Sequence, residues 1–92
     1  MFKKIKRWID GDSGYFTDGR GFRLAGVRAP EKYQFGGHKA TRTAAGMTAR
    51  YGGAVNVNRV GGSYGRDVVN MFNQDGSINQ RMKDKGYTNK GR

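Results

Sequence analysis

Apolar and polar residues alternate imperfectly at the start of the chain, with Lys3, Ile5, Arg7 and Ile9 on one face of an extended segment. A period of two predicts a first strand, and its charge predicts that the strand is partly exposed. Ser13 to Thr17 and Phe22 to Val27 follow as two short strands around Asp18-Gly19-Arg20-Gly21, a glycine-rich turn that predicts a hairpin. A four-residue loop would set Thr17 opposite Phe22 and Asp12 opposite Val27. That register draws Asp12 beside the segment Arg28-Ala29-Pro30-Glu31.

The period then changes. Lys39 to Arg50 carries a narrow stripe of Ala40, Ala44 and Met47 opposite Lys39, Arg42, Thr43 and Arg50, the spacing of an amphipathic helix packed closely on a sheet. Gly52-Gly53 ends it. Gly46 inside it costs about 1 kcal/mol relative to alanine, so either close packing compensates or the helix is marginal. Ala54 to Val60 alternates as a fourth strand, Gly61 to Arg66 turns the chain, and a fifth strand around Val68 to Phe72 ends at Asp75-Gly76. Ser77 and Gln80 have the capping-box spacing, which starts a short helix with Ile78 and Met82 one turn apart and Gly86 as its stop. Five strands, one helix after the third and a short C-terminal helix predict an α+β domain built on a small OB-type barrel.

Composition limits what this domain does. A chain of 92 residues is one domain with a small core, and 18 Lys plus Arg against 7 Asp plus Glu give a net charge of +11. Such a surface attracts nucleic acid, acidic protein or anionic membrane, and 12% aromatic residues favour nucleic acid. The absence of cysteine excludes a disulfide framework, a zinc knuckle and a thiol nucleophile. No apolar run follows the basic start as an export signal would need, and none is as long as a membrane span, so a cytoplasmic protein without a membrane partner is expected. His38, the one histidine, reads as a surface residue near a helix start. No Walker A lysine, Ser-His-Asp set or dinucleotide fingerprint is present.

Acid is scarce in this polycation and unevenly placed. Asp10 and Asp12 flank Gly11, and Glu31, the only glutamate, follows Pro30. A pure nucleic-acid binder gains nothing from carboxylates where phosphates must sit, whereas metal-assisted phosphodiester hydrolysis needs them beside arginines. The order of fragments resembles the staphylococcal (thermo)nuclease family. Ile9-Asp10-Gly11-Asp12-Ser13 matches its Asp-Gly-Asp-Thr, Phe22-Arg23-Leu24 its arginine strand, and Ala29-Pro30-Glu31 its Thr/Ala-Pro-Glu. Lys39-Ala40 falls at its first helix, Tyr64-Gly65-Arg66 matches its Tyr-Gly-Arg, and Ile78 to Tyr87 resembles its last helix here.

The resemblance implies an OB-fold nuclease domain over residues 1–87, with 88–92 as a polar basic tail. It implies that Asp12 and the Ala29 backbone carbonyl hold a divalent metal, Mg²⁺ or Ca²⁺, that Glu31 orients or deprotonates the attacking water, and that Arg23 and Arg66 grip the scissile phosphate. Guanidinium forks suit phosphate oxygens in a way that a lysine does not. Lys3, Lys4, Lys6, Arg7, Arg28 and Tyr64 are then the further nucleic-acid-binding residues, with DNA as the expected partner. Arg28 departs from the family, which has a second metal-binding aspartate there; Asp10 and Asp67 are the candidate substitutes. The resulting expectation is an endonuclease with little sequence preference. Its alternative is a non-catalytic OB-fold nucleic-acid-binding protein with a degenerate metal site.

Overall fold

The computed structural model describes residues 1–88 and arranges them as β1 (Phe2–Asp10), β2 (Ser13–Phe16), β3 (Gly21–Leu24), α1 (Gly37–Ala49), β4 (Ala54–Ser63), β5 (Arg66–Asn73), β6 (Gly76–Ser77) and α2 (Ile78–Asp84). The expected helices are both present, one after the third strand and one last. Beyond Thr88, the expected tail lies outside the described residues. The strands bond in the order β3-β2-β1-β4-β5-β6, and β3 also pairs in parallel with β5, so an otherwise antiparallel sheet closes in a ring. Two-residue β6 is an addition to the expected five, formed where Asp75-Gly76 folds the chain back against Phe72 and Asn73.

Three local features depart from simple alternation. A bulge between Ile5 and Arg7 shifts the phase of β1, so Trp8 packs on the core while Ile9 faces out. The Trp8 indole N–H donates to Thr48 Oγ1 of α1 at 3.1 Å, and its ring meets Phe22 edge-on at 5.0 Å. The β2–β3 hairpin closes earlier than a four-residue loop allows. Phe16 N–H bonds to the Arg20 carbonyl at 2.9 Å and Gly19 N–H to the Phe16 carbonyl at 3.0 Å, with Gly19 at φ 90°. This is a three-residue loop ending in a left-handed residue. It sets Gly14 opposite Phe22 and Ser13 opposite Arg23. Asp12 therefore meets Leu24 rather than Val27, its carbonyl accepting the Leu24 N–H at 2.8 Å. Finally, β4 runs on to Ser63, and the expected Gly61–Arg66 turn shrinks to Tyr64-Gly65, at φ 51° and 78°. Positive φ at both central residues suits a two-residue hairpin to the twist of its strands.

Phe16, Phe22, Leu24, Val55, Val69 and Met71 are buried in the ring, and Phe16 stacks on Phe22 at 4.7 Å. Helix α1 adds Ala44 and Met47 to this core, and α2 adds Ile78 and Met82. Ser77 caps α2 as expected, its Oγ accepting the Gln80 N–H at 3.0 Å. At the other end, Gly86 at φ 96° lets Tyr87 N–H return to the Met82 carbonyl at 3.1 Å. Among the described residues, no helix is long and apolar enough to cross a membrane.

Gly46 is exposed on α1, and nothing lies within 4 Å of the Cβ it lacks. Close packing therefore does not account for it. Gly46→Ala is expected to stabilise the fold by about 1 kcal/mol, read as a raised urea midpoint. An unchanged midpoint would show that α1 gains nothing from helix propensity.

Candidate functional site

Phe22 and Leu24 point into the core, which leaves Arg23 on the outer face of the ring. On the parallel seam Gly21 lies opposite Arg66 and Arg23 opposite Val68, so the two arginines are diagonal neighbours on that outer face. The stem of Arg66 crosses over Gly21, where an added Cβ would stand 2.9 Å from Arg66 Cγ.

The acidic turn between β1 and β2 is pressed beside this seam. A Cβ on Gly11 would stand 2.8 Å from the Ala29 Cβ and 2.9 Å from that of Ala40, so only glycine lets the turn lie so close to α1 and the Ala29 segment. Asp12 is buried, and its Oδ2 accepts the Ala29 N–H at 3.3 Å. The expected convergence of Asp12 with the Arg28–Glu31 segment is thus present, though not through the expected register. A turn at Ala25-Gly26 carries the chain back, and Arg28 N–H fixes it to the Tyr87 carbonyl at 3.3 Å.

Glu31 sits in a loop that braces itself. Its N–H donates to Gln34 Oε1 at 2.8 Å, and its carbonyl accepts the Gln34 N–H at 2.9 Å. The first turn of α1 packs on the same carbonyl, which a Cβ on Gly37 would overlap. Gln34 was missed in the sequence; its only local signal is a spacing of three from Glu31, which any helix or turn also shows.

These elements enclose a cavity of about 700 Å³ whose charged lining is Asp10, Asp12, Arg23, Arg28, Glu31 and Arg66. Ala29, Gln34 and Phe35 line it too, and Phe35 is fully exposed. Arg23, Glu31 and Arg66, expected in catalysis, and Asp12 and Ala29, expected to hold a metal, therefore line one cavity. Lys3, Lys4, Lys6, Arg7 and Tyr64 do not line the cavity. Lys3 is engaged by Asp18 at 2.5 Å, whereas Lys4, Lys6 and Arg7 are exposed along β1 and Tyr64 is exposed at its turn. Asp67 is also elsewhere, bound by Arg20 at 2.6 Å and Arg59 at 3.0 Å, and so does not replace the missing aspartate. By contrast, among the described residues no charged group of the cavity forms an ion pair within 4 Å.

Asp10 and Asp12 interact closely and divide one proton unequally. Burial, then the hydrogen bond and charge of Asp10, push Asp12 up to about 7 against the pull of the Ala29 N–H and Arg23. Burial also raises Asp10, but bonds from the Asp12 side chain, the Ser13 hydroxyl at 2.6 Å and two backbone amides outweigh it and leave Asp10 low. The proton therefore resides on Asp12. Between the ordinary value of 3.8 and about 7 the unfolded chain loses this proton while the folded chain keeps it, so the Asp12 contribution to stability falls as pH rises across that window. Thermal unfolding of wild type and Asp12→Asn at several pH values should show this slope only in the wild type. Parallel pH curves would contradict it.

The donors suit a divalent cation poorly. Among the described residues, no three His, Cys, Asp or Glu side chains gather to hold a metal. Asp10 and Asp12 form a carboxylate pair, but both already accept protein donors, and Arg28 stands in the same cavity. A unit charge 4 Å away is worth about 4 kcal/mol at an effective dielectric near 20, so a guanidinium that close would oppose a cation strongly. Comparison with protein-family models and with curated proteins finds no match.

Proposed function

We propose that this protein binds nucleic acid, DNA above all, and hydrolyses its phosphodiester bonds at the cavity on the β3–β5 seam. One observation carries the reading: a single cavity collects three arginines and Glu31, none ion-paired among the described residues. A closed ring ordered β1-β2-β3-β5-β4, with a helix between the third and fourth strands, also supports an OB-type barrel. In this account Arg23 and Arg66 hold two phosphate oxygens. Water attacks phosphorus, Glu31 takes its proton, the new P–O bond forms as the ester bond breaks, and the leaving oxygen takes a proton from solvent. The arginines face the charge that grows on the phosphate as water adds.

Gel analysis of plasmid and single-stranded oligonucleotides tests this. Arg23→Ala is expected to slow cleavage about 100-fold, as removal of one preorganised donor does. Cleavage equal to wild type would remove Arg23 from the reaction. A second reading, a module that binds without cutting, is favoured by Arg28 at the position where the resemblance implies a metal ligand. It predicts salt-sensitive binding and no product from the wild type.

A further inference from the structure

Arg28 is the residue that sets this cavity apart. It is exposed, and it precedes Ala29, whose N–H binds the Asp12 carboxylate, so its backbone is anchored beside the acidic turn. Its side chain lines the same cavity as Arg23 and Arg66. The other arginines with an acid nearby, Arg20, Arg50 and Arg59, lie outside the cavity and are paired with Asp67 or Asp75. Arg23, Arg28 and Arg66 have no such partner among the described residues. Three unpaired guanidiniums around one opening form an anion site, and the acids present do not amount to a metal centre.

Charge and geometry distinguish this from a metal site. A phosphodiester carries one negative charge and gains another as water adds. A bound divalent ion would neutralise it by bridging oxygens to carboxylates. A third guanidinium neutralises it without carboxylates, by donating several N–H groups in a fixed plane, and it remains protonated at any physiological pH. Carboxylate ligands would only weaken such a site. Here Asp10 and Asp12 are turned to internal donors: Asp10 Oδ1 accepts the Ser13 hydroxyl and the Asp12 N–H, while Asp12 Oδ2 accepts the Ala29 N–H.

We propose that Arg28 supplies the positive charge that a divalent cation would otherwise bring, so the cavity takes the phosphate of a nucleic-acid strand in the absence of any divalent cation. This rests on the reading of the cavity as a nucleic-acid site, and the test separates the two. The probe is a fluorescently labelled single-stranded DNA oligonucleotide with phosphorothioate linkages. Its binding is followed by anisotropy in EDTA, Mg²⁺ and Ca²⁺ at matched ionic strength, and gels run alongside detect cleavage.

The wild type is expected to bind equally, within about twofold, in all three conditions, and Arg28→Gln to weaken binding about 10- to 100-fold, the range for loss of a charged hydrogen bond. Arg42→Gln, which removes an exposed charge of α1 outside the cavity, should change it about twofold. Because Arg28 is exposed, its replacement leaves the core intact, which circular dichroism checks. Arg28→Asp should bind only when Mg²⁺ or Ca²⁺ is added. Wild-type binding that requires Mg²⁺, or equal losses in Arg28→Gln and Arg42→Gln, would overturn this inference while leaving the nuclease reading in place. No wild-type binding in any condition would overturn both.

Discussion

Asn79→Ala is expected to cost about 4 kcal/mol of folding stability, measured by urea denaturation. Asn79 is buried at 3% exposure and joins three segments. Its Oδ1 accepts the Met71 N–H at 2.8 Å, and its Nδ2 donates to the Ala25 carbonyl at 2.9 Å and the Val69 carbonyl at 3.0 Å. Val69 keeps a partner after truncation because its carbonyl also accepts the Ala25 N–H at 2.9 Å. The Met71 N–H and the Ala25 carbonyl do not, and each buried group left unpaired costs about 1–3 kcal/mol. For a domain of this size the loss is a large fraction of total stability. The functional consequence follows from position. Ala25 lies in the turn between Arg23 and Arg28, so Asn79 fixes the spacing of two cavity arginines from behind. Loss of less than about 1 kcal/mol would show that the seam holds without it.

Glu31→Gln is expected to slow cleavage by about 10²–10⁴-fold, the usual contribution of a positioned general base. The substitution keeps the shape and the hydrogen bonds of the backbone with Gln34, so folding should be unchanged, and removal of a negative charge from the cavity should strengthen oligonucleotide binding rather than weaken it. A carboxamide cannot accept the proton of the attacking water, and among the described residues the other carboxyls lining the cavity are Asp10 and Asp12, which face internal donors. Single-turnover rates at saturating protein read this directly. A rate within about threefold of wild type would assign the base elsewhere.

Elements with a local cause were legible in the sequence. The small-residue stripe marked α1, and the serine and glutamine of the capping box marked α2, because each signal spans a few residues. The hairpin register was not legible. Both a four-residue and a three-residue loop fit the glycine-rich turn; in the shorter loop that forms, Asp18 Oδ1 accepts the Arg20 N–H at 2.9 Å. The bulge that turned Trp8 inward depended on α1, which offers Thr48 to its indole. At the site, the identities of Asp12, Arg23, Glu31 and Arg66 came from motif order, and their gathering required the parallel β3–β5 seam, a pairing of distant segments with no local pattern. Gln34 and Asn79 were missed as supporting residues for the same reason: their importance lies in the backbone groups they satisfy.

The most direct test of the central claim is cleavage in water labelled with heavy oxygen, using wild type and Glu31→Gln purified in parallel and mass spectrometry of the new ends. The account predicts that the wild type alone yields product, with the label incorporated into the phosphate at the cut. The same labelled product in equal amount from Glu31→Gln, or none from the wild type, would contradict it.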